Sequence, residues 1–191
     1  MEKTMWANGG SNLEIVGDKL ILSRLSINDL DFICRIECDK SLWKYEEFAQ
    51  SNEDVVREEY INKIYRRQNG NYDFIVNLIA NGRKTPIGLE QIWSYNDYRK
   101  SWEIGFAILP EYRRKGYDRE AAKLLLEFAF NKLNAHKVVG MCNSNNKSSA
   151  TLMEYIGMVR EAIFKEELFW HSKWTDQYFY SILEKEFFKV T

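Results

Sequence analysis

Apolar residues repeat along the chain with two different spacings, and each spacing predicts a different backbone element. An alternation of period two, as in residues 19–25, is typical of a strand with one buried face, whereas spacings of three and four indicate an amphipathic helix. The predicted elements are a strand at 19–25, helices near 28–37 and from 51, strands at 73–79, 86–95 and 100–109, a helix at 117–133, a strand at 138–142, a helix at 147–156, and strands at 158–169 and 174–184.

The order of these elements mixes hairpins with helical crossovers. Asn81-Gly82 separates two predicted strands and is a strong hairpin signal. The helix at 117–133, in contrast, forms a crossover between strands. We therefore predict an α/β (α+β) fold with a mixed central sheet and helices packed on its faces. Residues 1–12 are predicted to form a flexible leader, and residues 13–191 a single domain.

The composition narrows the function classes. The chain has 191 residues, of which 45% are hydrophobic and 29% charged, as in soluble globular proteins. A net charge of −1 argues against a nucleic-acid partner, and the lack of an apolar run of 18 residues argues against a membrane span. Three cysteines without framework spacing and a polar, non-signal N-terminus favour reduced thiols in the cytoplasm.

One segment carries candidate chemistry. Residues 103–121 form an apolar strand, a proline, a basic turn with a glycine, and the start of a helix. The first amides of a helix lack partners and carry the positive end of its dipole, so this turn suits an anion, above all a phosphate. Arg113, Arg114 and Lys115 add positive charge, and Gly116 lets the backbone approach a ligand. An ordinary surface turn before an amphipathic helix is the alternative explanation.

Neighbouring motifs resemble the GNAT superfamily of acetyl-CoA-dependent N-acetyltransferases. The turn Arg113-Arg-Lys-Gly116-Tyr-Asp118 resembles the family's Arg/Gln-x-x-Gly-x-Gly/Ala segment, and residues 146–158 resemble its Asn-x-x-Ser/Ala helix that ends in Gly-Phe or Gly-Met. Residues 174–184 are similar to the closing strand of the branch with ribosomal-protein N-terminal and spermidine acetyltransferases. The resemblance spans roughly residues 13–186 in the right order.

The resemblance implies the GNAT fold and its use of acetyl-CoA. In that fold two neighbouring parallel strands, here those ending near Leu109 and Cys142, splay apart and hold the pantetheine arm. The turn amides wrap the pyrophosphate, and the backbone of residues 106–108 binds pantetheine as an added strand would. No metal is expected. The implied cofactor-binding residues are Phe106, Ala107, Ile108, Arg113, Arg114, Lys115, Gly116, Tyr117, Asp118, Arg119 and Asn146.

Asp118 departs from the family pattern, which has a small residue at this position. If its carboxylate faces the pyrophosphate at about 6 Å, repulsion costs roughly 2–3 kcal/mol at an effective dielectric near 20. Alternatively, Asp118 turns outward, favours the helix N-terminus and pairs with Arg114 or Arg119. We expect the outward orientation, because the other segments of the pattern are present.

The transfer reaction needs a base for the amine and a proton for the leaving thiolate. The resemblance implies Glu103 as the base, acting directly or through water; an exposed strand glutamate in a cross-strand ion pair is the alternative. Many family members have a tyrosine acid where this chain has Met153, and Tyr155 lies on another side of the helix. Ser149 or a water molecule is therefore the expected proton donor.

The acceptor is the least determined part of the reaction. In this fold it is recognised by the first two helices, their loop and the late hairpin. Here the loop carries carboxylates and aromatic rings, which suit a cationic amine but also an ordinary solvated surface. We therefore predict transfer to a primary amine, either a protein or peptide N-terminus or a small cationic amine such as a polyamine or amino sugar. A catalytically impaired binding or sensing module is the rival, and a homodimer is left open.

Overall fold

The computed structural model describes residues 5–7, 13–66 and 70–190. Its strands are β1 (Met5–Ala7), β2 (Glu14–Val16), β3 (Leu20–Arg24), β4 (Asn71–Ala80), β5 (Arg83–Asn96), β6 (Ser101–Ile108), β7 (Lys137–Asn143), β8 (Val159–Trp170) and β9 (Lys173–Leu183). Its helices are α1 (Leu30–Glu37), α2 (Glu53–Arg66), α3 (Tyr117–Lys132), α4 (Lys147–Tyr155) and α5 (Glu184–Val190). The strands form one sheet in the order β1-β2-β3-β4-β5-β6-β7-β9-β8, which confirms the predicted mixed α/β architecture.

Strands β6 and β7 form the one parallel pair among the described strands. They pair only at their beginnings, where residues 101–103 lie beside residues 137–139. Beyond this point β6 pairs with β5 alone and β7 with β9 alone. The two strands therefore diverge toward their C-terminal ends and leave an open fork in the sheet, as the resemblance implied.

Helices cover both faces of the sheet, and β5 contributes side chains to each core. On one face Leu125 of α3 packs in the larger core with Ile92 of β5. On the other face Ile33 of α1 and Tyr60 of α2 pack with Leu89 of β5. Because successive strand residues point to opposite faces, neighbouring residues of β5 and β6 serve different surfaces of the molecule.

The hairpin between β4 and β5 is confirmed. Asn81 and Gly82 both have positive φ, 52° and 71°, as a two-residue turn that follows the strand twist requires. The short elements β2 and α5 were not predicted. Of the predicted leader, Met5–Ala7 form β1 beside β2, and the rest of residues 1–12 lies outside the described residues.

The described ranges contain neither a membrane-spanning helix nor a metal-binding group of side chains. None of the helices in residues 13–66 and 70–190 is long and apolar enough to cross a bilayer. In the same ranges, no three His, Cys, Asp or Glu side chains group closely enough to hold a metal ion.

Candidate active site

A cleft of about 740 Å³ opens beside the fork. The end of β6, the turn into α3, the start of α4 and the loop between α1 and α2 form its walls. The residues singled out from the sequence that line it are Phe106, Ala107, Ile108, Arg113, Arg114, Gly116, Asp118, Arg119, Asn146 and Ser149. Segments far apart in sequence thus meet in one cavity at the C-terminal end of a β-strand, where open α/β sheets bind ligands.

Lys115 and Tyr117 do not bring their side chains to the cleft wall. The Lys115 ammonium donates to the carbonyl of Glu111 at 2.9 Å, and Tyr117 packs its ring against the larger core. Lys115 and Tyr117 therefore contribute main-chain groups of the turn, and not side chains, to this part of the cleft.

The turn into α3 presents unpaired main-chain donors. Arg114 and Gly116 have positive φ, 59° and 81°, and the glycine adopts this conformation without strain. The first helical bond runs from the Glu120 N–H to the Gly116 carbonyl at 3.1 Å. The amides of residues 117–119 precede that bond and therefore have no partner within the helix. Together with the helix dipole they make a site for an anion.

The edge of β6 that faces the fork presents further main-chain groups. The Leu109 N–H donates to the Ile87 carbonyl in β5 at 2.9 Å. Because main-chain groups alternate in direction along a strand, those of Ile108 and Phe106 point to the fork. The Arg113 Nε–H donates to the Ile108 carbonyl at 2.8 Å, so Phe106 is the position where an extended amide-containing ligand finds both a donor and an acceptor.

In the part of the chain that the structure describes, Asp118 lacks the ion pair that was expected for it. Its side chain lies on the cleft wall, and within the described ranges it forms no ion pair with Arg114 or Arg119. The Arg119 guanidinium instead lies 3.9 Å from the centre of the Tyr155 ring. Asp118 therefore brings an acidic residue to the cleft beside the anion site.

Glu103 lies at the apex of the fork. It is the last β6 residue paired with β7, and on its other side it faces Trp93 of β5. The Trp93 indole N–H donates to Glu103 Oε2 at 3.2 Å. A Cβ on Gly105 would come within 3.2 Å of the Trp93 ring, so the glycine lets the indole lie across β6. Burial raises the pKa of the half-buried Glu103 carboxyl, and the indole bond partly offsets that rise.

A second polar network continues on the same face of the sheet. The Gln91 amide donates to the Tyr60 hydroxyl at 3.2 Å and to Asp73 Oδ1 at 2.6 Å. Tyr60 in turn donates to Glu37 Oε1. Burial raises the pKa of Glu37, and the bond from Tyr60 partly offsets that effect. Two further acidic side chains therefore lie on the face that carries Glu103.

The residues at the start of α4 cap this helix and also line the cleft. The Asn146 side chain accepts from the Ser149 N–H at 3.2 Å and so caps the helix, while both residues line the cleft. Met153, where the family has its tyrosine, is 1% exposed and belongs to the core. Tyr155 is 49% exposed outside the cleft lining. Ser149 thus lies on the cleft wall, and Tyr155 does not take the place of Met153.

The loop between α1 and α2 closes the cleft opposite α4, and the tip of the late hairpin holds it in place. The Trp170 indole N–H donates to the Lys44 carbonyl at 2.9 Å, and the Phe169 N–H donates to Glu47 Oε1 at 2.6 Å. Glu47 therefore supports the loop rather than the cleft interior.

Five residues of this loop line the cleft, namely Leu42, Trp43, Lys44, Tyr45 and Glu46. Glu46 remains accessible to solvent, yet the surrounding cleft walls raise the pKa of its carboxyl, and neighbouring Glu47 adds to the rise. The Lys44 ammonium lies 4.9 Å from the centre of the Tyr45 ring, so the carboxylate of Glu46 and the ring of Trp43 are the parts of this wall that suit a cationic ligand.

Sequence reasoning did not single out Trp93, Ser148 or Glu90. The sequence does not indicate the contact of Trp93 with Glu103, because that contact depends on the register of β5 and β6. Ser148, which lines the cleft, lies next to the expected serine. Glu90 did leave a signal, since it interrupts the apolar run from Ile87 to Ile92 with a charge; it is fully buried.

Comparison with known proteins agrees with this geometry. A family model described as an acetyltransferase (GNAT) domain matches residues 19–159. The uncharacterized N-acetyltransferase YnaD of Bacillus subtilis is 29% identical over 91% of this chain and 99% of its own length. Spermidine N(1)-acetyltransferase of Vibrio cholerae is also 29% identical, over 84% of this chain and 91% of that protein.

A solved structure extends the similarity to three dimensions. The crystal structure of spermidine N-acetyltransferase from Vibrio cholerae in complex with CoA and spermine superimposes with a TM-score of 0.81. The match is 26% identical and covers 90% of this chain and 99% of that one. The predicted fold is thereby confirmed at the level of a whole chain.

Proposed function

The chain belongs to the GNAT acetyltransferases and is an N-acetyltransferase that uses acetyl-CoA to acetylate an amine, and from this premise we propose that its acceptor is a small amine with several positive charges and that Glu103 is its general base. The observation that carries the proposal is the position of Glu103 at the apex of the fork, half-buried and bonded to Trp93.

The chemistry requires a base. An alkyl amine with a pKa near 10.4 arrives protonated and must lose a proton before it attacks. A carboxyl whose pKa is raised is a stronger base than an ordinary one, and burial has this effect on Glu103. About five strand residues, roughly 17 Å, separate Glu103 from the end of β6, which leaves room for an extended pantetheine arm between the turn and the apex.

The remaining steps use main-chain and hydroxyl groups. In our proposal the diphosphate lies on the amides of residues 117–119 and the arm pairs with Phe106, whose N–H is a donor for the thioester carbonyl. Glu103 first takes a proton from the ammonium group, and the neutral amine nitrogen then bonds to the carbonyl carbon. The C–S bond breaks as this nitrogen releases its second proton to solvent. The departing thiolate takes a proton from the Ser149 hydroxyl, which solvent then restores.

The acceptor assignment is supported by the charge of the cleft wall. Glu46 offers a carboxylate and Trp43 an aromatic ring to a cation, and the network around Glu37 adds acidic groups on the Glu103 face. The names of the Vibrio cholerae relative and its spermine complex point to the same substrate class. Three free thiols support the cytoplasm as the place of the reaction.

A turnover assay that follows CoA release tests the proposal. Polyamines, amino sugars and N-terminal peptides are compared as acceptors for the wild type, Glu46→Gln and the control Glu53→Gln, which begins α2 outside the cleft lining. We expect the highest kcat/KM with polyamines and a KM about fivefold higher in Glu46→Gln alone.

Two outcomes contradict the proposal. A preference for N-terminal peptides shows that the acceptor class is wrong. If acetyl-CoA binds but no amine is acetylated, the chain is the binding module considered above.

A further inference from the structure

Glu90 of β5 is a buried acid that the proposed reaction does not use. It is 0% exposed, and neither of its carboxyl oxygens has a hydrogen-bond partner in the part of the chain that the structure describes. Its neighbours across the sheet are Phe74 of β4 and Phe106 of β6. An ionised carboxylate in such surroundings is strongly unfavourable, so the side chain lies in the fold as a neutral acid.

The nearest charge makes ionisation still harder. Burial raises the pKa of Glu90 well above its ordinary value, and the Asp118 carboxylate at the start of α3 raises it further. The other charged side chains of this helical turn are engaged elsewhere: Arg119 lies on Tyr155, and Glu120 accepts from the amides of Lys19 and Leu20. Arg113 of the preceding turn binds the Ile108 carbonyl.

Asp118 also lines the cleft, so it stands between the buried acid and the cofactor. We propose that acetyl-CoA binds the form of the protein in which Glu90 carries its proton, and that the Glu90–Asp118 pair thereby makes cofactor affinity fall as the pH rises. This inference rests on the proposed placement of the diphosphate at the turn into α3. Glu90 is then an affinity-determining residue that acts through its charge without touching the ligand, and Asp118 sets the pH at which that charge appears.

The direction follows from proton linkage. The negative charges of the diphosphate disfavour ionisation of Glu90, so its pKa is higher in the complex than in the free protein. Between these two pKa values binding therefore takes up a proton, and the Kd increases by up to tenfold per pH unit. Below the lower of the two pKa values Glu90 is protonated in both states and contributes no pH dependence.

Calorimetry of acetyl-CoA binding without an acceptor tests the inference. Titrations from pH 7 to 9.5 in two buffers of different ionisation enthalpy give both the Kd and the number of protons taken up. The terminal phosphate of the cofactor, with a pKa near 6, is already ionised in this range. The matched variants are Glu90→Gln, which keeps the shape without the titration, and Glu120→Gln, which removes a charge from the same helical turn.

We expect the wild type and Glu120→Gln to take up protons and to lose affinity by about fivefold or more as the pH rises through the pKa of Glu90 in the free protein. Glu90→Gln is expected to bind without this proton uptake and with a nearly constant Kd. If Glu90→Gln shows the wild-type proton uptake, the inference is wrong while the proposed function stands. If acetyl-CoA binds at no pH, both fail.

Asp118→Asn gives an independent test that does not alter the buried position. Removing the Asp118 charge lowers the pKa of Glu90, so we expect the loss of affinity to begin at a lower pH than in the wild type. An unchanged midpoint contradicts the inference, even if Glu90→Gln does not fold.

Discussion

The two faces of the sheet at β5 and β6 each hold one glutamate, and the two differ in access and in hydrogen bonding. Glu103 is half-buried at the apex of the fork and receives a bond from Trp93. Glu90, on the α3 face, is sealed from solvent and has no partner among the described residues. Burial raises the pKa of both.

This difference separates two uses of the same side chain. A carboxyl with access and a donor can exchange a proton with a substrate in every turnover. A sealed carboxyl without a donor holds its proton and sets the charge of its surroundings. A raised pKa alone therefore does not identify a catalytic acid or base. The carboxyl must also be accessible to the substrate or solvent with which it exchanges a proton.

The largest expected effect comes from Glu103→Gln. Loss of a general base lowers kcat/KM by about 10²- to 10⁴-fold. The wild-type kcat/KM falls as the pH drops through the pKa of Glu103, because the protonated acid cannot accept a proton, and this acidic limb disappears in the variant. CoA release measured from pH 5 to 9 checks the prediction. Equal profiles for the two proteins remove Glu103 from the mechanism.

Glu90→Leu is expected to stabilise the fold. A buried polar group without a partner costs about 1–3 kcal/mol, and leucine removes that cost. The folded-state pKa of Glu90 exceeds the unfolded value, so wild-type stability is fully present below the unfolded pKa and is lost as the pH rises toward the folded pKa. The advantage of the variant in the free energy of unfolding therefore grows with pH. Urea unfolding at pH 5, 7 and 9 measures it, and a pH-independent difference is the contrary result.

Asp118→Ala tests the charge at the cleft wall. Removal of a carboxylate near the diphosphate is expected to tighten acetyl-CoA binding by about tenfold to a hundredfold. Glu111→Gln, an exposed acid before the turn that pairs with Arg35, is the control and leaves the Kd unchanged. Equal affinities for Asp118→Ala and the wild type place the carboxylate away from the diphosphate.

The smallest effect is expected for Trp93→Phe, which keeps a ring but loses the donor. The indole bond favours the ionised form of Glu103, so its loss raises the pKa of that carboxyl and moves the acidic limb of kcat/KM to higher pH. We expect kcat to fall by a factor of about five at neutral pH, with an unchanged KM for acetyl-CoA. A variant that changes only the KM for acetyl-CoA contradicts this positioning role.

The sequence predicted those features that depend on adjacent residues. The Asn81-Gly82 hairpin is local, and the structure has it. The bond between Trp93 and Glu103 depends on strand register, and the proximity of Glu90 to Asp118 depends on how α3 lies on β5, so neither follows from local spacing. The strand β2 and the helix α5 were missed because each is too short to show a period.

Three residue pairs join β6 to β7 in the described part of the chain, so the sheet is weakly connected at this position. Strands β1 to β6 form one part of the sheet and strands β7, β9 and β8 the other. The two parts are paired at the beginnings of β6 and β7. A ligand whose amides hydrogen-bond to strands on either side of the gap joins the two parts of the sheet, so the cofactor stabilises the fold as well as reacting. We therefore expect saturation with acetyl-CoA to slow amide hydrogen exchange in both parts of the sheet, including strands that the cofactor does not contact.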